Sequence, residues 1–66
     1  MQKAMLQEFM YMYKKKGFNG INEFCVMSGI ALIIAYEYVT TFEEDSEIIA
    51  KCNNKVIELK KFYGNK

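Results

Sequence analysis

The feature that most constrains the fold of this chain is a nineteen-residue apolar stretch, from Phe24 to Phe42, whose only charged residue is Glu37. No other segment of the 66 residues is apolar enough to form the interior. The stretch is typical of a buried helix pair broken at Ser28–Gly29, and it also has the character of a marginal membrane span. Because a glycine inside a helix costs only about 1 kcal/mol relative to alanine, the sequence leaves open whether the helix breaks there.

The segment before this stretch predicts a first helix over residues 3 to 16. Its apolar positions recur with the 3.6-residue period of a helix that buries one face. The members of this stripe are Met5, Leu6, Phe9, Met12, Tyr13 and Lys16. Gly17 follows three lysines, which suits the end of a helix, since lysines are favoured at the negative end of the helix dipole.

Residues 18 to 20, Phe-Asn-Gly, predict a turn, because Asn-Gly is a strong breaker of regular structure. Asn22 is then placed to cap a short helix from Glu23 to Met27. Residues 30 to 42 are rich in β-branched and aromatic side chains, which also suit a strand. The chain offers no second comparable strand to pair with them, so a helix is favoured.

The last segment predicts a helix of four to five turns that ends at Gly64. Thr41 and Glu44 have the Thr-x-x-Glu spacing of a capping box at its start. Its apolar stripe consists of Ile48, Ile49, Cys52, Val56, Leu59, Phe62 and Tyr63. Together these elements predict an all-α protein, a compact three- or four-helix bundle formed by residues 1–66 as one small domain.

The residues that most enzymes and metal sites use are missing from the sequence. The chain has no histidine, which is the commonest general base and metal ligand. Cys25 and Cys52 are too few for a zinc site within one chain, and no phosphate-binding glycine motif occurs. We therefore expect no catalytic residues, no cofactor and no metal, and the chain is expected not to be an enzyme.

The two cysteines and the N-terminus favour a cytoplasmic location. Secreted domains of this length usually carry four or six cysteines, so Cys25 and Cys52 are expected to be buried free thiols. The first ten residues lack the apolar core of a signal peptide. Only thirteen uncharged residues separate Glu23 from Glu37, short of the roughly 20 that cross a bilayer, so membrane insertion is disfavoured.

The central stretch resembles a generic helix-turn-helix over about 20 residues, as a skeleton rather than as any particular family. The positions that match are Phe24, Cys25, Gly29, Ile30, Ala35 and Tyr38. The resemblance implies a DNA-binding regulator as the alternative function. It departs from that pattern where bases would be read, because the outward positions hold Ala31, Leu32, Ile33, Tyr36 and Glu37 instead of polar or basic side chains.

A run of lysines among aromatic residues is the second feature that suits nucleic acid. Lys14, Lys15 and Lys16 would contact phosphates in that alternative, with nearby tyrosines stacking on bases. A solvated helix end with aromatic side chains behind it explains the same run. The formal net charge of +1, from nine lysines and eight acids, also gives no strong attraction to nucleic acid.

An apolar fraction of 52% is more than a chain of this length can bury by itself. The sequence therefore favours a protein-binding module that docks an apolar helical face on a larger protein or on a second copy. A phage- or plasmid-type modulator or inhibitor of a host protein is one such role, and a homodimer is another. The predicted partner-binding residues are Met10, Tyr11, Leu32, Ile33 and Tyr36.

Overall fold

The computed structural model of the chain describes residues 2–64 and consists of four α-helices over that range. They are α1 (Lys3–Lys16), α2 (Phe18–Ser28), α3 (Leu32–Phe42) and α4 (Ser46–Gly64). The all-α fold class is confirmed, and α3 is a helix where the sequence also suited a strand. By its internal contacts the chain divides into an N-terminal unit, Met1–Leu32, and a C-terminal unit, Ile33–Lys66. One domain over residues 1–66 stays a prediction.

The N-terminal unit is a helical hairpin in which α1 packs against α2. The predicted bounds of α1, residues 3 to 16, are confirmed. Gly17 is the single residue between the helices, and its φ of 61° lies in a region that side chains disfavour. Its N–H donates to the Tyr13 carbonyl, while its own carbonyl accepts from the Ile21 N–H, so Gly17 satisfies one backbone group at the end of α1 and one at the start of α2.

Two buried contacts are among those that hold the hairpin together. Phe9 is fully buried, and its ring meets that of Phe24 edge to face, with centroids 5.2 Å apart. Gly20 packs against the backbone of Met12 so closely that a Cβ atom would overlap the Met12 carbonyl oxygen. The helices can approach this closely because Gly20 has no side chain.

The predictions of a turn at residues 18 to 20 and of a cap at Asn22 are wrong. Residues 18 to 20 form the first turn of α2, and Asn22 lies on an exposed face within that helix. Gly17 already reverses the chain, and Gly20 is required by packing rather than by a turn. The Asn-Gly signal is therefore overridden by a contact with a residue eight positions earlier in the chain.

The break at Ser28–Gly29, which the sequence left open, is present. Gly29 is left-handed, with φ 75° and ψ 12°, and its N–H donates to the Cys25 carbonyl. The Ser28 hydroxyl donates to the Phe24 carbonyl at 2.7 Å and accepts from the Ile30 N–H at 3.4 Å. These bonds satisfy backbone groups at the end of α2, and α3 begins three residues later.

In the C-terminal unit, the predicted capping box at Thr41 and Glu44 is wrong. Thr41 belongs to α3, where its hydroxyl donates to the Tyr38 carbonyl at 2.6 Å. Asp45 caps α4 instead, because its Oδ1 accepts the Glu47 N–H at 2.9 Å and its carbonyl accepts the Ile49 N–H at 3.0 Å.

The interior of the C-terminal unit is smaller than the apolar pattern suggests. Its buried residues are Ala35, Tyr36 and Val39 of α3 and Cys52 and Val56 of α4. Ile48, Ile49 and Leu59 of the predicted α4 stripe are half-buried. Phe62 and Tyr63 at the end of that stripe are exposed.

Candidate protein-interaction surface

The most exposed large apolar side chains of the N-terminal unit are neighbours on α2. Val26 is 84% exposed and Met27 is 74% exposed. The buried face of α2 is formed by Gly20, Ile21, Phe24 and Cys25. With 3.6 residues per turn, Val26 points away from that face and Met27 lies at its edge. Their position follows from the packing of Phe24 against Phe9 and of Gly20 against Met12, which sets the buried face of α2.

Met27 forms a wall of two shallow grooves between α1 and α2. One groove, of about 290 Å³, is lined by Ala4, Met5, Glu8, Phe24, Met27 and Ser28. The other, of about 510 Å³, is lined by Met12, Lys16, Asn22, Glu23, Val26 and Met27. We name four of the apolar residues along these grooves, the half-buried Met5 and Met12 and the exposed Val26 and Met27, the methionine seam.

The chemistry of the seam suits apolar binding with adaptable shape. Thioether side chains are unbranched and polarizable, and they repack around irregular partners. At one end Lys16 pairs with Glu23 at 2.8 Å, and both side chains are about half exposed. This pair neutralises its own charges, so the seam has an apolar floor and a polar border, as interaction patches usually do.

The other flank of α1 carries a second surface, which we name the basic face. It is a depression of about 490 Å³ lined by Lys3, Leu6, Gln7, Met10, Tyr11 and Lys14. Relative to Phe9, Met5 and Met12 lie roughly 40–60° to one side of the α1 axis, and Leu6 and Met10 roughly 60–100° to the other. Of the predicted partner-binding residues, Met10 and Tyr11 lie here. Met10 is half-buried and Tyr11 is 58% exposed.

The three lysines predicted for nucleic acid are not aligned on one surface. Lys14 lines the basic face. The Lys15 amine lies 5.5 Å from the centre of the Tyr11 ring and donates to its hydroxyl at 3.4 Å. Lys16 is engaged with Glu23. The run of lysines in the sequence is therefore divided among three environments.

The remaining predicted partner-binding residues lie on α3, and one of them is misplaced. Leu32 and Ile33 are half-buried. Tyr36 is only 3% exposed, so its placement on an outward surface is wrong. It shares the buried face of α3 with Ala35 and Val39, one and three residues away. Ile34 is the residue of this helix that is exposed and apolar.

The structure keeps the element order of a helix-turn-helix, but its residues lack the chemistry of DNA recognition. A three-residue connection, 29 to 31, joins α2 to α3, and Gly29 takes the left-handed conformation. The α3 sequence, LIIAYEYVTTF, has no basic residue, and its exposed side chains include Glu37, which repels phosphate.

The predicted free, buried thiols are confirmed for both cysteines. Burial raises the pKa of Cys25, and burial together with the Glu43 carboxylate raises the pKa of Cys52. Both groups are therefore poor nucleophiles near neutral pH. Among residues 2–64, no three Cys, Asp or Glu side chains are grouped so that they could hold a metal ion.

The sequence reasoning missed Val26 and Met27 because it treated residues 24 to 42 as one buried stretch. The spacing of Ile21, Phe24 and Cys25 would have found them, since a helix that buries those positions turns Val26 outward.

None of the helices over residues 2–64 is both long and apolar enough to cross a membrane. Comparison with known proteins gives no family model, no characterised protein and no solved structure that matches the chain.

Proposed function

We propose that the chain is a non-enzymatic protein-binding module whose methionine seam takes an apolar segment of a larger protein. The observation that carries this proposal is the exposure of Val26 and Met27 next to Met5 and Met12, along two grooves that share Met27 as a wall. Isolated exposed apolar side chains are ordinary on protein surfaces. Two exposed apolar side chains beside two half-buried methionines form a surface of the kind that partner proteins cover.

The mechanism is occlusion or stabilisation of a partner surface, without turnover. A short apolar helix or loop lies along the grooves, and the methionine side chains adjust to its shape. The Lys16–Glu23 pair at the border excludes water around the contact and gives little affinity by itself, because half-exposed pairs contribute about 0–1 kcal/mol. A role as a modulator of a host protein, as in phages and plasmids, is one setting for such a module.

Site-specific photo-crosslinking in the cells that make the protein tests this proposal. A benzophenone amino acid replaces Val26 in one variant and Asn53, an exposed polar residue of α4, in the matched control. We expect one discrete adduct with another protein from position 26 and none from position 53. An adduct of twice the chain mass would identify a second copy as the occupant. Identical adducts from both positions, or none from position 26, would refute the seam as a binding surface.

A further inference from the structure

We propose that the basic face of α1 is a second docking surface, separate from the seam, and that it binds an acidic amphipathic helix of a partner protein. The first support is charge. Lys3 and Lys14 stand at the two ends of the depression, and none of the six residues that line it is acidic. The nearby Glu8 lines a seam groove instead. An occupant of this face therefore brings carboxylates to the two lysines.

The second support is the spacing of these residues along α1. Lys3 and Lys14 are eleven positions apart, which is about 16 Å along a helix. Between them Leu6 and Met10, four positions apart, form an apolar centre. A helix lying along this face matches it with apolar residues at i and i+4 and with an acid near each end.

Nucleic acid fits this face less well than an acidic helix does. Tyr11 is the one aromatic side chain that lines the depression, and its hydroxyl and ring are already contacted by Lys15. Single-stranded nucleic acid binds to successive stacking rings along a basic groove, which this face does not offer.

An anionic membrane surface fits less well for a related reason. A helix that lies in a membrane interface inserts its bulkiest apolar residues. In α1 that residue is Phe9, which is fully buried against α2. Half-buried Leu6 and Met10 leave little area to insert, and the exposed Tyr11 on this face is contacted by Lys15 at its hydroxyl and ring. A partner helix needs only the shallow apolar contact that these two residues provide.

The test is a selection of random sixteen-residue peptides, displayed on phage, against the immobilised full-length chain. The variant Lys3→Glu/Lys14→Glu serves for counter-selection. We expect the enriched peptides to carry Asp or Glu near both ends and an apolar pair four residues apart. One enriched peptide is then synthesised, and its affinity is measured by fluorescence anisotropy at two salt concentrations.

The charge-reversed variant is expected to bind this peptide roughly tenfold or more weakly, from the loss of two ion pairs and the new repulsion. The matched control, Lys51→Glu/Lys55→Glu on α4, makes the same charge change at exposed lysines and is expected to keep most of the affinity. Circular dichroism checks that both variants stay helical. The seam variant Met27→Glu is expected to bind the peptide normally. A failure of this proposal can therefore be told apart from a failure of the proposed function.

Three results would overturn the proposal. The first is a selection that enriches no acidic peptides. The second is an equal loss of affinity in the two charge-reversed variants. The third is tighter binding of a mixed-sequence single-stranded oligonucleotide, or of vesicles with one quarter phosphatidylserine, than of the selected peptide.

Discussion

Gly20 of α2 lies against the backbone carbonyl of Met12 in α1, where a Cβ atom would overlap the oxygen and stand 2.6 Å from the carbonyl carbon. This contact sets how closely the two helices of the N-terminal unit approach. Because the opposing atoms belong to the backbone, they cannot move aside as the end of a flexible side chain would. The grooves of the methionine seam lie between these two helices, so their shape depends on the same close approach.

Replacing Gly20 with alanine is expected to lower the free energy of unfolding by about 2 kcal/mol, a typical cost of overpacking. Alanine is the better helix former by about 1 kcal/mol, so the sign of the measured change shows which effect dominates. Urea unfolding followed by circular dichroism measures it. Gly64→Ala is the control, because nothing lies within 4 Å of a Cβ there. Unchanged or increased stability of Gly20→Ala would contradict the close contact.

The start of α4 gives a second prediction. Asp45→Ala is expected to cost about 1 kcal/mol of unfolding free energy, because the Glu47 N–H loses its acceptor. Asp45→Asn keeps an acceptor oxygen and is expected to be close to wild type. Thr41→Ala, measured in the same urea experiment, is expected to change stability by less than Asp45→Ala. A larger loss of stability in Thr41→Ala than in Asp45→Ala would support the capping box at Thr41 instead.

A helix end can be predicted from the sequence when nearby residues determine it, and it is missed when a contact with a distant residue determines it. The bounds of α1 follow from its own period and from Gly17, and the sequence predicts both correctly. In α2 the predicted turn is replaced by helix, and Gly20 there meets Met12, a tertiary contact that no local pattern contains. At the start of α4, Thr41 and Asp45 are both good caps by residue type. The choice between them is made by α3, which continues to Phe42 and keeps Thr41 within it.

The candidate surface was predicted only in part for a similar reason. In α3 nearly every position is apolar, so periodicity does not indicate which face is buried, and Tyr36 was assigned to the wrong one. In α1 the polar residues between the apolar ones define the faces, so the sequence predicts Met10 and Tyr11 outside the buried stripe; Tyr11 is exposed and Met10 is half-buried. Placing Val26 and Met27 outside the interior required knowing which face of α2 packs against α1.

The thiols give a prediction about reactivity and pH. Burial and, to a smaller extent, the Glu43 charge raise the pKa of Cys52; Glu43→Gln removes that charge but keeps an acceptor for the N–H groups of Glu44 and Asp45. We expect the variant to alkylate faster at Cys52 near pH 8, while Cys25 serves as an internal control. Peptide mass spectrometry gives the ratio of the two rates. An unchanged ratio would show that the carboxylate does not act on the thiol.

The raised pKa values of the two thiols determine whether the stability of the fold rises or falls with pH. Each thiol has a higher pKa in the folded chain than in the unfolded one. Its contribution to stability is therefore complete below about pH 8.5, the ordinary thiol pKa, and is lost as the pH rises through the folded value. We expect the urea midpoint to fall above that pH, and to fall less steeply in Cys25→Ala/Cys52→Ala.

Binding to DNA gives the prediction that separates the two functions considered from the sequence. Because α3 has no basic residue and the lysines of α1 are divided, we expect affinity for duplex DNA no tighter than about 10 μM near 150 mM salt. Fluorescence anisotropy with a random-sequence duplex, followed by selection from a duplex library, measures it. Submicromolar binding that weakens steeply with salt would favour the helix-turn-helix regulator.

The most direct test of the central claim uses methionine methyl signals in NMR spectra of the full chain. The partner is the protein recovered from the crosslink at position 26, added without crosslinking. Met5, Met12 and Met27 line the seam grooves, whereas Met10 lies on the basic face and serves as an internal control. We predict that the three seam signals shift or broaden on addition of the partner while the Met10 signal stays in place. A shift of the Met10 signal with the seam signals unchanged would contradict the account.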